Sequence, residues 1–295
     1  MTHPQDNFRA SLIMVASMAI FAVEDLFLKW AATNLPPGQV IAMLGFAGAI
    51  VFGLAEKAKG GRVFSRRFFD RAVVIRNLGE ASASLLWIVA LAIIPLSLNS
   101  AILQAMPLAV TLGAVLFMGE KVGWRRWTAI LVGFLGVLII LRPGTGGFQA
   151  AALLTVASVV VLAARDLATR AVPGDISTFQ LTTWAYVSLV PAGLLLMLIL
   201  GDAPVMPTPT QWLGLTAALV SGILGYYGVT LAMRMGEVSA VAPYRYSRLV
   251  FSLIVAAIFL GERPDIWMYV GSALVVGSGI YTFARERMLR RRALA

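Results

Sequence analysis

Long apolar runs dominate the chain, and their length identifies the elements. Segments 10–33, 37–55, 72–93, 97–118, 124–141, 150–171, 176–200, 210–233, 238–260 and 266–284 are each 18–25 residues of mostly apolar side chains. That is the length a helix needs to cross a hydrocarbon layer about 30 Å thick. Turn formers punctuate them: Pro36-Pro37-Gly38, Pro143-Gly144, Pro173-Gly174, and Pro204, Pro207 and Pro209. The first run follows Arg9 in the manner of a signal peptide. Glu24 and Asp25 interrupt it and no small-x-small cleavage site follows, so it is expected to be retained. Ten such helices with short connections use nearly the whole length. The pattern therefore predicts an all-α integral membrane protein with no sizeable soluble domain.

The halves repeat. Val15-Ala16-Ser17, Asp25-Leu26 and Lys29 recur 141 positions later as Val156-Ala157-Ser158, Asp166-Leu167 and Arg170. Gly119-Glu120-Lys121 recurs 142 positions later as Gly261-Glu262-Arg263. The predicted organisation is two five-helix repeats, 1–145 and 146–295, in one membrane domain. Five spans per copy is an odd number, so the second copy enters the membrane inverted. Inverted repeats are the architecture of secondary transporters, which hold substrate between the halves near the midplane.

Composition removes other classes. Of 295 residues, 59% are hydrophobic and 13% charged, and mean hydropathy is +0.85, far from soluble proteins. With no cysteine and a single histidine, His3, disulfides, thiolate metal sites and Ser-His-Asp chemistry are excluded. No nucleotide, zinc or dinucleotide motif is present, so no cofactor, metal or catalytic residue is expected. The net charge of +10 follows from topology. Of 24 Lys and Arg, 18 fall in termini and alternate loops on one side, seven of them within 57–76, while the other side holds Arg142 and Arg263. The positive-inside rule then makes both termini cytoplasmic, with basic loops near anionic headgroups and no nucleic-acid partner.

Several segments carry a family resemblance. Ala105-Met106-Pro107, Gly119-Glu120-Lys121-Val122-Gly123-Trp124, Gly133 through Arg142-Pro143-Gly144, and Gly261-Glu262-Arg263 resemble the drug/metabolite transporter superfamily, in particular its EamA-type ten-helix transporters, over essentially the full chain. The resemblance implies movement of amino acids, other small metabolites, vitamins or drugs, commonly outward across the bacterial inner membrane. One departure is Leu249, which stands where the first repeat has Pro107.

Charges inside spans mark candidate sites, because an unpaired charge in the bilayer costs at least about 2.5–3.5 kcal/mol. Lys29, Arg165, Arg245 and Arg248 stand against Glu24, Asp25, Glu80 and Asp166. Asp25 with Lys29, and Asp166 with Arg170, are four residues apart, which predicts duplicated ion pairs, structural or gating. Glu24 and Arg165 occupy mirrored positions with opposite charge. They are read either as a salt bridge between repeats or with Glu24 as a proton-coupling carboxylate, a role the small four-helix relatives give a first-helix glutamate. In the third span Arg76, Asn77, Glu80, Ser84 and Trp87 form a polar stripe, facing either a solute cavity or, for Arg76 and Glu80, each other. In the ninth, Tyr244, Arg245, Tyr246 and Arg248 follow Pro243. They suit a clamp for a carboxylate, with Tyr244 one turn from Arg248; the alternative is snorkelling to headgroups. Asn99, Gln104 and Tyr226 are further substrate-binding candidates, bonding either a solute or a neighbouring helix, and Gly222, Gly225 and Gly228 form a small-residue stripe beside Tyr226.

These readings predict a secondary active transporter working by alternating access in the inner membrane, a monomer or homodimer whose partners are the bilayer and a small-molecule substrate. The mixed charges suit a zwitterion, so export of amino acids or related metabolites is the leading expectation. The alternatives are import of a vitamin or other metabolite, or multidrug export. An intramembrane enzyme is disfavoured, since the symmetric acids Asp25 and Asp166 have cations beside them.

Overall fold

The structure, a computed structural model, describes the backbone of residues 4–120, 123–236 and 238–294. Within that range the side chains of 4–6, 234, 238–239, 286–287 and 289–294 are not described. Of the residues invoked above, His3, Lys121 and Val122 lie outside the described residues, as do the side chains of five of the counted basic residues, Arg234, Arg287, Arg290, Arg291 and Arg292.

The described chain is helical and contains no strand. The first repeat holds α1 (Pro4–Asn34), α2 (Pro37–Ala58), α3 (Arg71–Ile93), α4 (Leu96–Leu103), α5 (Met106–Met118) and α6 (Trp124–Leu141). The second holds α7 (Ala152–Arg170), α8 (Thr178–Leu200), α9 (Pro209–Met235), α10 (Val238–Val241), α11 (Ser247–Phe259) and α12 (Ile266–Leu294). Among the described residues nine segments are long and apolar enough to cross a bilayer, with α4 and α5 counted as one. The tenth is 238–259, which three short elements break up.

Both fourth spans of the repeats are discontinuous, where the sequence predicts single helices over 97–118 and 238–260. Pro107, at the start of α5, has no N–H to continue the ladder from α4, and the turn between them closes with Ala105 N–H on the Ile102 carbonyl at 3.0 Å. The second repeat lacks the mirrored proline, yet Pro243 produces a similar break as a 3-10 turn over Ala242–Tyr246. Each span then ends at a glycine in the left-handed region, Gly119 (φ 68°) and Gly261 (φ 65°). A side chain is strained there, which accounts for the repeated Gly-Glu motif.

The repeats interlock with pseudo-two-fold symmetry. Helix α2 packs on its counterpart α8 and α6 on α12, while α1 on α9 mirrors α7 on α3. Apolar clusters fill the seams, one around Ile102, Leu108, Ile140 and Val275 and another around Leu35, Leu91, Leu96 and Ala256. Mirrored glutamines, 141 residues apart, stitch the halves together. Gln39 exchanges two hydrogen bonds with the Val205 backbone, and Gln180 donates to the Arg62 carbonyl.

Candidate functional site

A cavity of about 320 Å³ lies between the repeats, bounded by α1, α2 and α3 of the first and α7, α8, α9 and α11 of the second. The volume is at the lower end for small-molecule pockets. One wall is aromatic: Phe52 stacks on Tyr186 at 5.4 Å between ring centroids and meets Tyr226 edge-on at 5.8 Å. Trp87 also lines the cavity. The rest of the lining is strongly ionic, with Glu24, Asp25, Arg76, Glu80, Arg165 and Arg248.

The ionic lining is two networks. Arg248 grips Asp25 with both ends of its guanidinium, at 2.6 and 3.1 Å, and Asp25 is 1% exposed. Arg165 bridges Glu80 at 2.7 Å and Asp166 at 2.7 Å. Arg76 stands 4.0 Å from Glu80 and donates to the Leu181 carbonyl at 3.1 Å. Bidentate, charge-assisted contacts of this kind fix geometry as well as charge. Glu24 forms no ion pair among the described residues and packs against Gly222, where an added Cβ would meet its Oε1 at 2.5 Å. Its mirror Arg165 packs in the same way against Gly79, at 3.0 Å. Glu24 and its mirror Arg165 thus each pack closely on a glycine of the facing helix.

Several expected pairings are corrected. Asp25 pairs with Arg248 instead of Lys29, and Asp166 with Arg165 instead of Arg170. Asp25 takes a tertiary partner at 2.6 Å, and Asp166 takes its own sequence neighbour at 2.7 Å, in place of the helix pairings one turn away, which are of small value. The two networks are not mirror copies because Arg248 corresponds at the 142 spacing to Met106, which offers Asp166 no cation. Glu24 and Arg165 do not bridge the repeats, since Arg165 is taken by Glu80 and Asp166. Lys29 and Arg170 serve at opposite ends. Lys29 Nζ donates to the Ile94 carbonyl at 2.6 Å, and Arg170 pairs with Glu120 at 3.0 Å.

The other expected residues divide. Ser84, Trp87 and Tyr226 line this cavity. Gln104, Arg245 and Tyr246 line a second cavity of about 300 Å³, which shares only Arg248 with the first. Asn77, Asn99 and Tyr244 line neither. Asn77 is buried and accepts from Arg76, and Asn99 is buried and accepts from Thr155, tying α4 to α7. Tyr244 is 47% exposed, because three residues per turn in the 3-10 segment carry it off the Arg248 face.

Sequence reasoning missed Phe52, Thr182 and Tyr186, which sit in apolar runs with no distinguishing period. It also missed a clamp at one end. The Glu262 carboxylate accepts from the backbone N–H groups of Leu96 (2.7 Å) and Ser97 (2.8 Å) and from the Ser97 hydroxyl. Lys29 holds the end of α3 while Glu262 caps the start of α4, each with the charge that the helix dipole favours. At the other end the mirrored residues, Arg170 and Glu120, bond each other. The repeat of the Gly-Glu motif was the available signal.

Two interlocked inverted repeats, discontinuous fourth spans and a charged cavity between them define a multi-pass membrane protein built as a transporter. The chain matches the EamA-like transporter family over residues 8–142 and again over 149–284, and it belongs to that family. A riboflavin transporter of Rhizobium johnstonii is 29% identical over 284 residues, covering 96% of this chain and 93% of the relative. An S-adenosylmethionine uptake transporter of Rickettsia bellii is 26% identical over 275 residues, covering 92% of each. A solved crystal structure at 21% identity superposes with a TM-score of 0.65 over 95% of this chain and 98% of the other, and shows the same fold. The protein is a small-molecule transporter of the drug/metabolite superfamily.

Proposed function

We propose that the protein imports a vitamin-like heteroaromatic metabolite of the riboflavin class across the inner membrane, by alternating access. The observation that carries this reading is the mixed lining of the cavity: Phe52, Tyr186 and Tyr226 offer a surface for a flat ring, and Glu80, Arg165 and Arg76 offer hydrogen-bonding partners for polar substituents. The riboflavin transporter among the similar proteins supports such a solute, the S-adenosylmethionine uptake transporter supports the inward direction, and neither name supports amino-acid export in particular. Both termini are placed in the cytoplasm by the positive-inside rule.

In this reading Lys29 and Glu262 close the outer end by clamping residues 94–97. Arg170 and Glu120, bonded to each other, leave the inner end released. The opposite state exchanges these roles between the repeats. Glu24, a cavity carboxylate without an ion pair, takes up and releases the coupling proton.

The test is growth. A riboflavin-auxotrophic bacterium lacking its own importer should grow on low external riboflavin when it expresses the protein, and should fail with a Phe52→Ala, Tyr186→Ala variant that reaches the membrane in equal amount. Rescue by this variant would remove the proposed site. A second reading rests on Glu24: an unpaired carboxylate also suits a cationic solute such as S-adenosylmethionine. Uptake of labelled S-adenosylmethionine that riboflavin does not compete would favour it.

A further inference from the structure

The second cavity has a charge imbalance that solute transport through the first does not use. It lies among α1, the α4–α5 turn, α6, α7, the 3-10 turn and α12. Four guanidinium groups line it, Arg126, Arg170, Arg245 and Arg248, against one carboxylate, Asp166. Three of these five charges are already compensated: Arg248 by Asp25, Arg170 by Glu120, and Asp166 by Arg165. The side chains of Arg126 and Arg245 form neither an ion pair nor a hydrogen bond with any described residue, and Arg126 Nε is shut off from the surface without a partner. Arg126 sits moreover in the first turn of α6, where no acidic residue offsets the positive end of the helix.

Neutral groups add to the imbalance. Gln104 is 8% exposed and its amide makes no hydrogen bond to a described residue. Tyr246 is 4% exposed and its hydroxyl has no partner. Gln104 and Tyr246 are buried, where a polar group without a partner is costly, and the half-buried Arg126 and the exposed Arg245 add uncompensated charge at the same cavity, so the four together call for an occupant. All four can donate. Two uncompensated cations and several donors on three separate elements match the charge and the three free oxygens of a phosphate better than a carboxylate.

We propose that this cavity is a binding site for a phosphate group, held by Arg126 and Arg245 with Gln104 and the Tyr246 hydroxyl, distinct from the solute cavity. The phosphate belongs either to a soluble phosphorylated metabolite or to the headgroup of an anionic lipid, and the same donors serve both.

The test uses the full-length protein in nanodiscs of phosphatidylcholine, titrated with phenyl phosphate and, as a control, with phenol. Saturable binding of phenyl phosphate but not phenol is expected, weakened about tenfold or more in Arg126→Gln and in Arg245→Gln. A lipid source gives a different result. Phenyl phosphate then does not bind, and native mass spectrometry of protein from discs containing phosphatidylglycerol finds that lipid retained by the wild type and lost in both variants. If the arginine variants fail to fold, Gln104→Leu with Tyr246→Phe keeps the charges and should weaken the same binding. The proposal is overturned if neither probe is held, or if the substitutions leave binding unchanged. Neither arm requires transport, so a failure of the riboflavin reading leaves this result interpretable.

Discussion

Glu262→Gln should unlatch one end of the transporter. In the structure this carboxylate accepts two backbone N–H groups of the first turn of α4, at 2.7 and 2.8 Å, and the Ser97 hydroxyl. Glutamine keeps the length and one accepting oxygen but loses the charge and part of the cap. A helix cap is worth about 0.5–2 kcal/mol and a charge at a helix N-terminus about 0.3–1 kcal/mol, so a loss of about 1–2 kcal/mol is expected. That shifts the closed-to-open equilibrium of this end by about 5- to 30-fold. The chain contains no cysteine, so a single Ala31→Cys reporter reads the change directly. Ala31 is fully buried in the cluster that Leu35, Leu96 and Ala256 complete behind the clamp. A membrane-impermeant maleimide added from that side should label the reporter about 5- to 30-fold faster when Glu262→Gln is present. An unchanged rate, in protein that melts at the wild-type temperature, would refute the clamp.

Removing the guanidinium in Arg248→Ala leaves Asp25, which is 1% exposed, as a buried charge without its partner. A loss of about 3 kcal/mol is expected, seen as a lower melting temperature that Asp25→Asn in the same chain partly restores. Glu24→Gln should abolish acceleration of uptake by an inward proton gradient while leaving solute exchange at equal pH intact, and retained acceleration would dismiss Glu24 as the coupling group. At the α6–α12 junction, burial pushes the Asp265 carboxyl up, but the Met268 N–H and Arg142 outweigh this and hold it below the usual carboxylate range. Its stabilising contribution is therefore present above the unfolded value of about 3.9 and lost as pH falls through the folded value. Melting curves of wild type and Asp265→Asn should differ at pH 7 and converge below about pH 4.

The sequence carried the global architecture because bilayer thickness fixes span length, and because Asp25 and Asp166, or Gly119 and Gly261, record the duplication by identity at fixed spacing. It carried the membership of the charged cavity in part, since Glu80, Ser84 and Trp87 announce a polar stripe by helical period. Pairing was not legible. Asp25 reaches Arg248 across 223 positions, and nothing local ranks that contact above Lys29 four residues away. The breaks at Pro107 and Pro243 were visible as prolines. The rotation that the 3-10 turn imposes on Tyr244 was not, because it depends on how the following helix restarts. The aromatic wall escaped because Phe52 and Tyr186 lie in apolar helices where every face is occupied, by lipid, by neighbouring helices or by the cavity.

Uptake of labelled riboflavin into proteoliposomes of the purified protein tests the account most directly, with amino acids and S-adenosylmethionine run in parallel. The account predicts saturable riboflavin flux, competed by unlabelled riboflavin, lost in Phe52→Ala with Tyr186→Ala, and retained in Tyr244→Ala, whose side chain lines neither cavity. Absent riboflavin flux in folded protein that moves an amino acid would contradict the substrate assignment. Flux indifferent to the aromatic wall would contradict the cavity itself.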